Sequence, residues 1–439
     1  MSLDHMTDLP LTDTNSSAHG ASADTVASGV APGMKCPIDH AALFQKKTAR
    51  AAEAAATPDI ERADDGTWHI RGFPEARAIL RGPNTRQAGF RADMINRISV
   101  TNAPILYQEG KAHQQQRRQT ARFFTPKKVS GDYRLLMESL TDTLIADLKR
   151  SGQADLSALS LTLAVQVASA VVGLTNSCKP GIDRRLEGFF SVDFSGENGA
   201  RGLRKLLGRL RGIVLSQWRV TKFFSADVKP AIEARRRLPQ EDVISHLLAQ
   251  GYSDREILTE CITYAAAGMI TTREFISMAA WHMLEQPALR ARYLAAAEDE
   301  RMMILEEILR LEPVVGHLYR RATDDIDVEV GDESLTIPQG ALMDVHIHAT
   351  NTDERIVGEH PFAICPDREL RAERASQELL SFGDGAHRCP GSFIALQETD
   401  IFLRRLLALE SLRIERAPTL TWNDLVAGYE LRDFRITTA

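Results

Sequence analysis

Residues 381–392 read SFGDGAHRCPGS. One cysteine, Cys389, sits among Gly383, Gly385 and Gly391, with His387 and Arg388 just before it and Pro390 just after. Glycines let a backbone take positive φ and pass close to a flat ligand. The stretch that follows, SFIALQETDIFLRRLLALE, is helical in pattern, and a proline suits the first turn of a helix. Cys389 is therefore expected at a helix N-terminus, where partial positive charge favours a thiolate. A thiolate is a nucleophile or a metal ligand. No second soft ligand stands nearby, which argues against zinc, whereas a planar iron cofactor needs only one proximal ligand. A buried free cysteine is the competing reading of such a residue taken alone.

The rest of the chain must hold this loop in place. It has 439 residues, 44% hydrophobic and 26% charged, as soluble globular proteins do, and a core of that size needs no disulfides. The five cysteines, Cys36, Cys178, Cys261, Cys365 and Cys389, are odd in number and form no C-x-x-C pair. That speaks against a disulfide framework and a structural zinc site, and for a reducing cytoplasmic location. A net charge of −6 argues against nucleic-acid binding. No basic segment followed by an apolar run marks a signal peptide. The apolar stretch 156–174 is interrupted by serines, a threonine and a glutamine, so it reads as a buried helix and no membrane span is expected.

Residues 1–34, rich in Ser, Thr, Ala, Asp and Gly without hydrophobic periodicity, are expected to form a disordered tail, with a single domain over 35–439. KCPIDH at 35–40 should begin the order. TWHIRG at 67–72 alternates as a strand does, and FPEARAILR after it predicts a short helix. From about 112 to 310 the pattern is almost wholly helical. DIDVEV, SLTIPQG and ALMDVHIHA, between 325 and 349, then predict short strands, as do LRIERAPTLTWNDL and FRITTA at the end. The expected class is mainly α with a small β region.

The cysteine loop resembles the heme-binding signature of the cytochrome P450 superfamily: Phe, two residues, Gly, three residues, Cys, one residue, Gly, here Phe382, Gly385, Cys389 and Gly391, with Gly383 and His387 also in place. The resemblance runs through nearly the whole chain from about Lys35 and implies the cytochrome P450 fold. It implies heme b with Cys389 as the axial iron ligand. Glu307 and Arg310 of LEEILRLEP, with Arg368 of FAICPDR, match the family's ion-pair triad, whose role is architectural. Heme carries two carboxylates, which need basic donors. The family's positions for them fall on His113 and Arg117, four apart on one face of GKAHQQQRRQTARFF, on Arg320 of HLYRRATDD in preference to Arg321, and on His387. Phe382 and Gly383 complete the cofactor-binding set.

On the oxygen side, ECITYAAAGMITTREFISMAAWHML resembles the family's central helix. Gly268, like Ala267, would leave room for oxygen, and Thr271 would hydrogen-bond it and help deliver protons. The family's usual acid falls on Ile270, which carries no proton. Three readings follow: Glu274, one turn on, replaces the acid; water and the substrate's own polar groups do so; or the chemistry needs less proton delivery, as in oxidative coupling or peroxide-driven oxidation. Glu274 is the hypothesised relay acid, with an ion pair to a basic neighbour such as Arg273 as the competing reading.

The resemblance implies a soluble bacterial-type heme-thiolate monooxygenase that inserts one oxygen atom of O2 into a lipophilic or aromatic small molecule, in natural-product metabolism. Its implied electron donors are an external ferredoxin and ferredoxin reductase, with Lys127 and Lys128 and the helix of Arg117 as a docking patch. The chain is expected to be a monomer. The basic, amphipathic segment 199–224, with Leu203, Leu206, Leu207, Leu210, Val214 and Trp218 on one face, would lid the substrate channel; it is either a solvated helix or the contact for a carrier protein that tethers the substrate. A non-catalytic heme-binding helper or a sensor is the rival class. Helpers typically lose the cysteine or spoil its loop, and a sensor would need an output module.

Overall fold

The computed structural model of the chain describes residues 45–48, 57–90, 103–190, 215, 217–331, 333–423 and 426–438. The expected tail at 1–34, the KCPIDH segment and most of the basic stretch at 199–224 lie outside the described residues.

The helical body is organised around a rod that runs from Asp254 to Glu285. It starts at a capping box in which Ser253 and Glu256 satisfy each other's backbone N–H groups. It widens into a π-turn at Ala266–Ile270 and resumes as an α-helix over Thr271–Glu285. Against it packs the helix Leu156–Val172, which Asp155 caps at one end and Gly173, at φ 101°, terminates at the other. Leu161, Leu163, Val165, Val167 and Val171 of this helix are all buried. A helix apolar on every side belongs in a core, and this one accounts for the long apolar stretch. Among the described residues no helix is long and apolar enough to cross a membrane.

The main sheet joins distant parts of the chain. Strands β1 (Ile60–Arg62), β2 (Trp68–Ile70), β3 (Thr85–Gln87), β5 (His317–Ala322) and β8 (Leu342–His346) lie in the order β1-β2-β8-β5-β3. The pair β2/β8 is parallel and the others antiparallel. Since side chains alternate along a strand, Ile70, Leu318, Met343 and Val345 turn to a core shared with Phe73, Ile79 and Leu80 of the helix Phe73–Arg81. The opposite face carries His69, His317, Asp344 and His346. A second sheet pairs β4 (Gln153–Asp155), β12 (Arg435–Thr437) and β9 (Arg413–Arg416), and β6/β7 (Ile326–Val330, Glu333–Ile337) and β10/β11 (Thr419–Asn423, Gly428–Arg432) are hairpins. This is the mainly helical architecture with a small β region that the sequence predicts. The run ALMDVHIHA stays extended only to His346 and then turns into the short helix Ile347–Thr350.

Glu307, Arg310 and Arg368 meet in the interior. Glu307 accepts from Arg310 at 2.7 and 2.8 Å, from Arg368 at 3.1 Å and from the Cys365 N–H at 2.9 Å. The remaining guanidinium donors go to the carbonyls of Asn351, Val357, Glu359, His360, Pro361 and Ala363. A buried charge cluster persists only when fully satisfied. This one ties the helix Glu298–Leu311 to the coil that leads into the cysteine loop.

Candidate active site

The cysteine loop is held at both ends. The Cys389 N–H donates to the Phe382 carbonyl at 2.8 Å. Gly383 and Gly385 take φ values of 70° and 68°. A Cβ on Gly385 would stand 2.3 Å from the Leu80 carbonyl oxygen, so at this position only glycine lets the loop lie against the helix Phe73–Arg81. Asp384 accepts from Arg81 at 2.9 Å and Arg77 at 3.3 Å and fixes that approach. The helix after the loop begins at Ser392 with Gly391 as its cap. Pro390 thus precedes the helix instead of opening it, and Cys389 lies two residues ahead of the cap.

Protein surrounds the Cys389 thiol, although part of its surface stays accessible. Burial pushes the thiol up; the N–H groups of Gly391 and Ser392 and the charges of Arg117 and Arg388 act against that. Such a group becomes a thiolate when a metal takes its proton's place.

The basic residues gather beside it. His113 is buried and stacks on His387, with centroids 4.1 Å apart and planes at 19°. Burial, then the neighbouring His387 and Arg117, push His113 down to about 4, so it is a neutral imidazole near pH 7. Arg117, one turn on, donates to the Arg388 carbonyl at 2.5 Å. Arg320 is buried on the core side of β5, bonded to the Gln87 side-chain carbonyl, and its Nε has no partner. His387 meets Glu109 at 3.0 Å, and Glu109 also accepts from the Gln87 N–H at 2.7 Å. The structure thus brings His113, Arg117, Arg320, His387 and Cys389 into one neighbourhood, with Phe382 and Gly383 in the loop. Sequence reading missed Glu109 and Gln87. Glu109 was within reach as a carboxylate four residues before His113; Gln87, on a three-residue strand, carried no signal.

Gly268 and Thr271 stand apart from this cluster, on the central rod. Met269, Ile270 and the residues from Thr272 to Ala280 are buried, whereas Ala267, Gly268 and Thr271 keep accessible surface. Thr271 Oγ1 donates to the Ala267 carbonyl at 2.6 Å, the back-bonding that bends helices. The expectation for Glu274 is overturned. Its carboxylate is fully buried and accepts from the Leu431 N–H at 2.7 Å, Arg432 at 2.7 Å and Arg273 at 2.9 Å. It is the hub of an ion cluster between the rod and β11, with both oxygens committed, and is not placed to carry protons.

Residues 302–418 match the family model Cytochrome P450. Among curated proteins, the chain is 26% identical over 376 residues to the biotin biosynthesis cytochrome P450 of Bacillus subtilis (strain 168), covering 82% of this chain and 86% of that one. It is 26% identical over 356 residues to the erythromycin C-12 hydroxylase of Saccharopolyspora erythraea, covering 78% and 82%. Its fold matches that of P450BioI in complex with a hexadec-9Z-enoic acid ligated acyl carrier protein, with TM-score 0.67 and 22% identity over 86% of this chain and 94% of that one. The chain belongs to the cytochrome P450 superfamily. This P450 is accordingly an oxidoreductase, and its cofactor is a heme whose iron takes a cysteine thiolate.

The residues present fit that group. Arg320 offers an unpartnered buried donor. Among the described residues whose charge acts on His113, the guanidinium groups of Arg117 and Arg320 outnumber the carboxylate of Glu109, which leaves positive charge for an acidic ligand.

Proposed function

We propose that this P450 is a monooxygenase that inserts one oxygen atom of O2 into a lipophilic or aromatic small molecule of secondary metabolism. The observation that carries the reading is the Cys389 thiol, enclosed yet partly accessible, with the Gly391 and Ser392 N–H groups and Arg117 directed at it. Heme, when bound, supplies electron storage and oxygen activation. Cys389 is its ligand, and the backbone donors and Arg117 offset the negative charge on sulfur. Arg117, Arg320, His113 and His387 hold the two carboxylates, with Arg320 contributing its free Nε. Phe382 and Gly383 shape the loop. Gly268 leaves room beside the rod, and Thr271, on turning from the Ala267 carbonyl, would donate a hydrogen bond from Oγ1 and relay protons that water supplies to the same oxygen. Residues 35–439 act as one domain, since strands from residues 60 and 346 share one sheet and those from 153 and 437 another.

Electrons come from an external ferredoxin and its reductase, docked near Lys127 on the cysteine side. Lys128 contributes less, being paired with Asp132 at 2.5 Å. The relatives support the substrate class: one hydroxylates erythromycin, and the P450BioI structure holds an acyl chain on a carrier protein. The complete cysteine loop favours an enzyme over a helper or a sensor. We place the protein in the cytoplasm as a monomer.

The test is the carbon monoxide difference spectrum of the reduced holoprotein. A thiolate-type band is expected, and Cys389→Ser is expected to lose it while other heme features remain. A thiolate band that survives Cys389→Ser would overturn the assignment. Titration with natural-product scaffolds, free and carrier-bound, then names the substrate by its spin shift.

A second reading has its own observation. Ile270 and the locked Glu274 leave the rod without a side-chain acid next to Thr271. Peroxide-driven oxidation, which needs neither external electrons nor a full proton supply, follows from that. It predicts product from hydrogen peroxide at a rate equal to or above that with ferredoxin and O2; a much slower peroxide reaction removes it.

A further inference from the structure

The outward face of the main sheet holds a cluster that the P450 reaction does not use. His69 lies on β2, directly opposite Asp344 on β8, and His346 follows two residues later on the same face. His317 on β5 faces His346 across the next ladder. Arg320 points to the other side of β5, so this cluster and the basic heme neighbourhood are on opposite faces of the sheet. Among the described residues, Arg71 and Glu61 lie on the cluster's own face, paired with each other at 2.8 Å, and the Asp65 carboxylate also interacts with His69.

Three ligand-type atoms converge here. His69 Nδ1 and His346 Nε2 are 2.8 Å apart, and Asp344 Oδ2 lies 3.5 Å from the first and 3.3 Å from the second. Two imidazole nitrogens and a carboxylate oxygen aimed at one point are three electron-rich atoms with few protons to share. Tetrahedral zinc, with bonds of about 2.0–2.1 Å, sets its ligand atoms roughly 3.3 Å apart; the two spacings to Asp344 Oδ2 are close to that, and the two nitrogens, at hydrogen-bond distance without an ion, need only separate slightly to admit one. The other carboxylate oxygen, Oδ1, is taken by His317 Nδ1 at 2.9 Å. That bond orients Asp344 and leaves Oδ2 for an ion, the arrangement by which outer partners fix metal ligands. His69 and His346 are about a quarter exposed, at 25% and 22%, so an ion could enter from solvent.

We propose that His69, Asp344 and His346 form a second metal site, separate from the heme, that takes a borderline divalent cation such as Zn2+ with a water in the fourth position. It joins β2 to β8 across the parallel ladder, and His317 is its positioning residue.

The experiment titrates Zn2+ into chelator-stripped holoprotein by calorimetry, in a Cys178→Ser background that removes an exposed competing thiol. One Zn2+ per chain beyond the heme iron is expected, with a higher melting temperature. His69→Asn and His346→Gln should each abolish the transition, and His317→Gln should weaken it about 10- to 100-fold. The heme spectrum reports folding independently, so a variant that loses zinc but keeps its spectrum has lost the site alone. Absence of any stoichiometric binding, or binding unchanged in both His69→Asn and His346→Gln, would overturn the proposal. If one variant misfolds, the other still decides.

Discussion

At the scale of single residues, this P450 shows how a side chain's neighbours fix its role. Ile270 and Glu274 are four residues apart on one helix, and sequence alone allowed the second to replace an acid missing at the first. The three donors on Glu274 make it an anion that the fold requires. Glu274→Gln should therefore lower stability by about 3–5 kcal/mol, as one-sided removal of a buried ion pair does, with the ratio of product to peroxide unchanged in the protein that folds; denaturant melts and an uncoupling assay measure the two. Arg320→Ala should speed heme loss to an acceptor protein, because a buried donor to the carboxylates goes. That Cys389, His113, Arg117, Arg320 and His387 lie in one neighbourhood was legible because each sits at a fixed offset in a long pattern. Glu109, Gln87 and the partners of Glu274 were not, since each acts through a contact between segments far apart in the chain.

At the scale of elements, the loop and the helix Phe73–Arg81 are one unit. Gly385→Ala would put a methyl group against the Leu80 carbonyl at positive φ. It should cut heme occupancy several-fold, measured as the ratio of heme to protein absorbance, while far-UV circular dichroism stays near that of the parent. The long helices and the strands after residue 325 could be read from periodicity and caps. Three-residue strands such as β1, β3 and β4 could not, because so short a run shows no period. The π-turn at Ala266–Ile270 was equally hidden: nothing in the composition marks it, and the back-bond from Thr271 to Ala267 beside it is one that Thr259 and Thr263 also make within regular α-helix.

At the scale of the whole molecule, two predictions concern charge. Burial raises Glu398, inside the helix Ser392–Leu407, to about 8 from an ordinary 4.5. The folded state then binds more protons than the unfolded chain between about pH 4.5 and 8, so this group makes stability fall as pH rises through that window. Glu398→Gln should flatten the fall, seen as a denaturant midpoint that declines less with pH than the parent's. His113, pushed down to about 4, acts in the opposite sense between about pH 4 and 6.5, so the comparison is made between parent and variant. Ferredoxin-driven turnover should fall as salt rises from 50 to about 300 mM if docking is electrostatic, whereas peroxide-driven turnover should not change. The class of fold was legible from the order of helical and extended segments; the sheet order was not, because pairing between remote strands leaves no mark in either strand alone.

That sheet also sets a timetable for synthesis. β2 finds its parallel partner only when β8 has been made, and His69 and His346 are 277 residues apart. At ~5–20 residues per second, the β1–β2 hairpin waits roughly 15 s to a minute with an open edge and with Ile70 uncovered. Long-range pairing of this kind is slow and exposed to aggregation. The yield of this protein in a host cell should thus depend on temperature and chaperone supply during that interval, before heme has a pocket to enter.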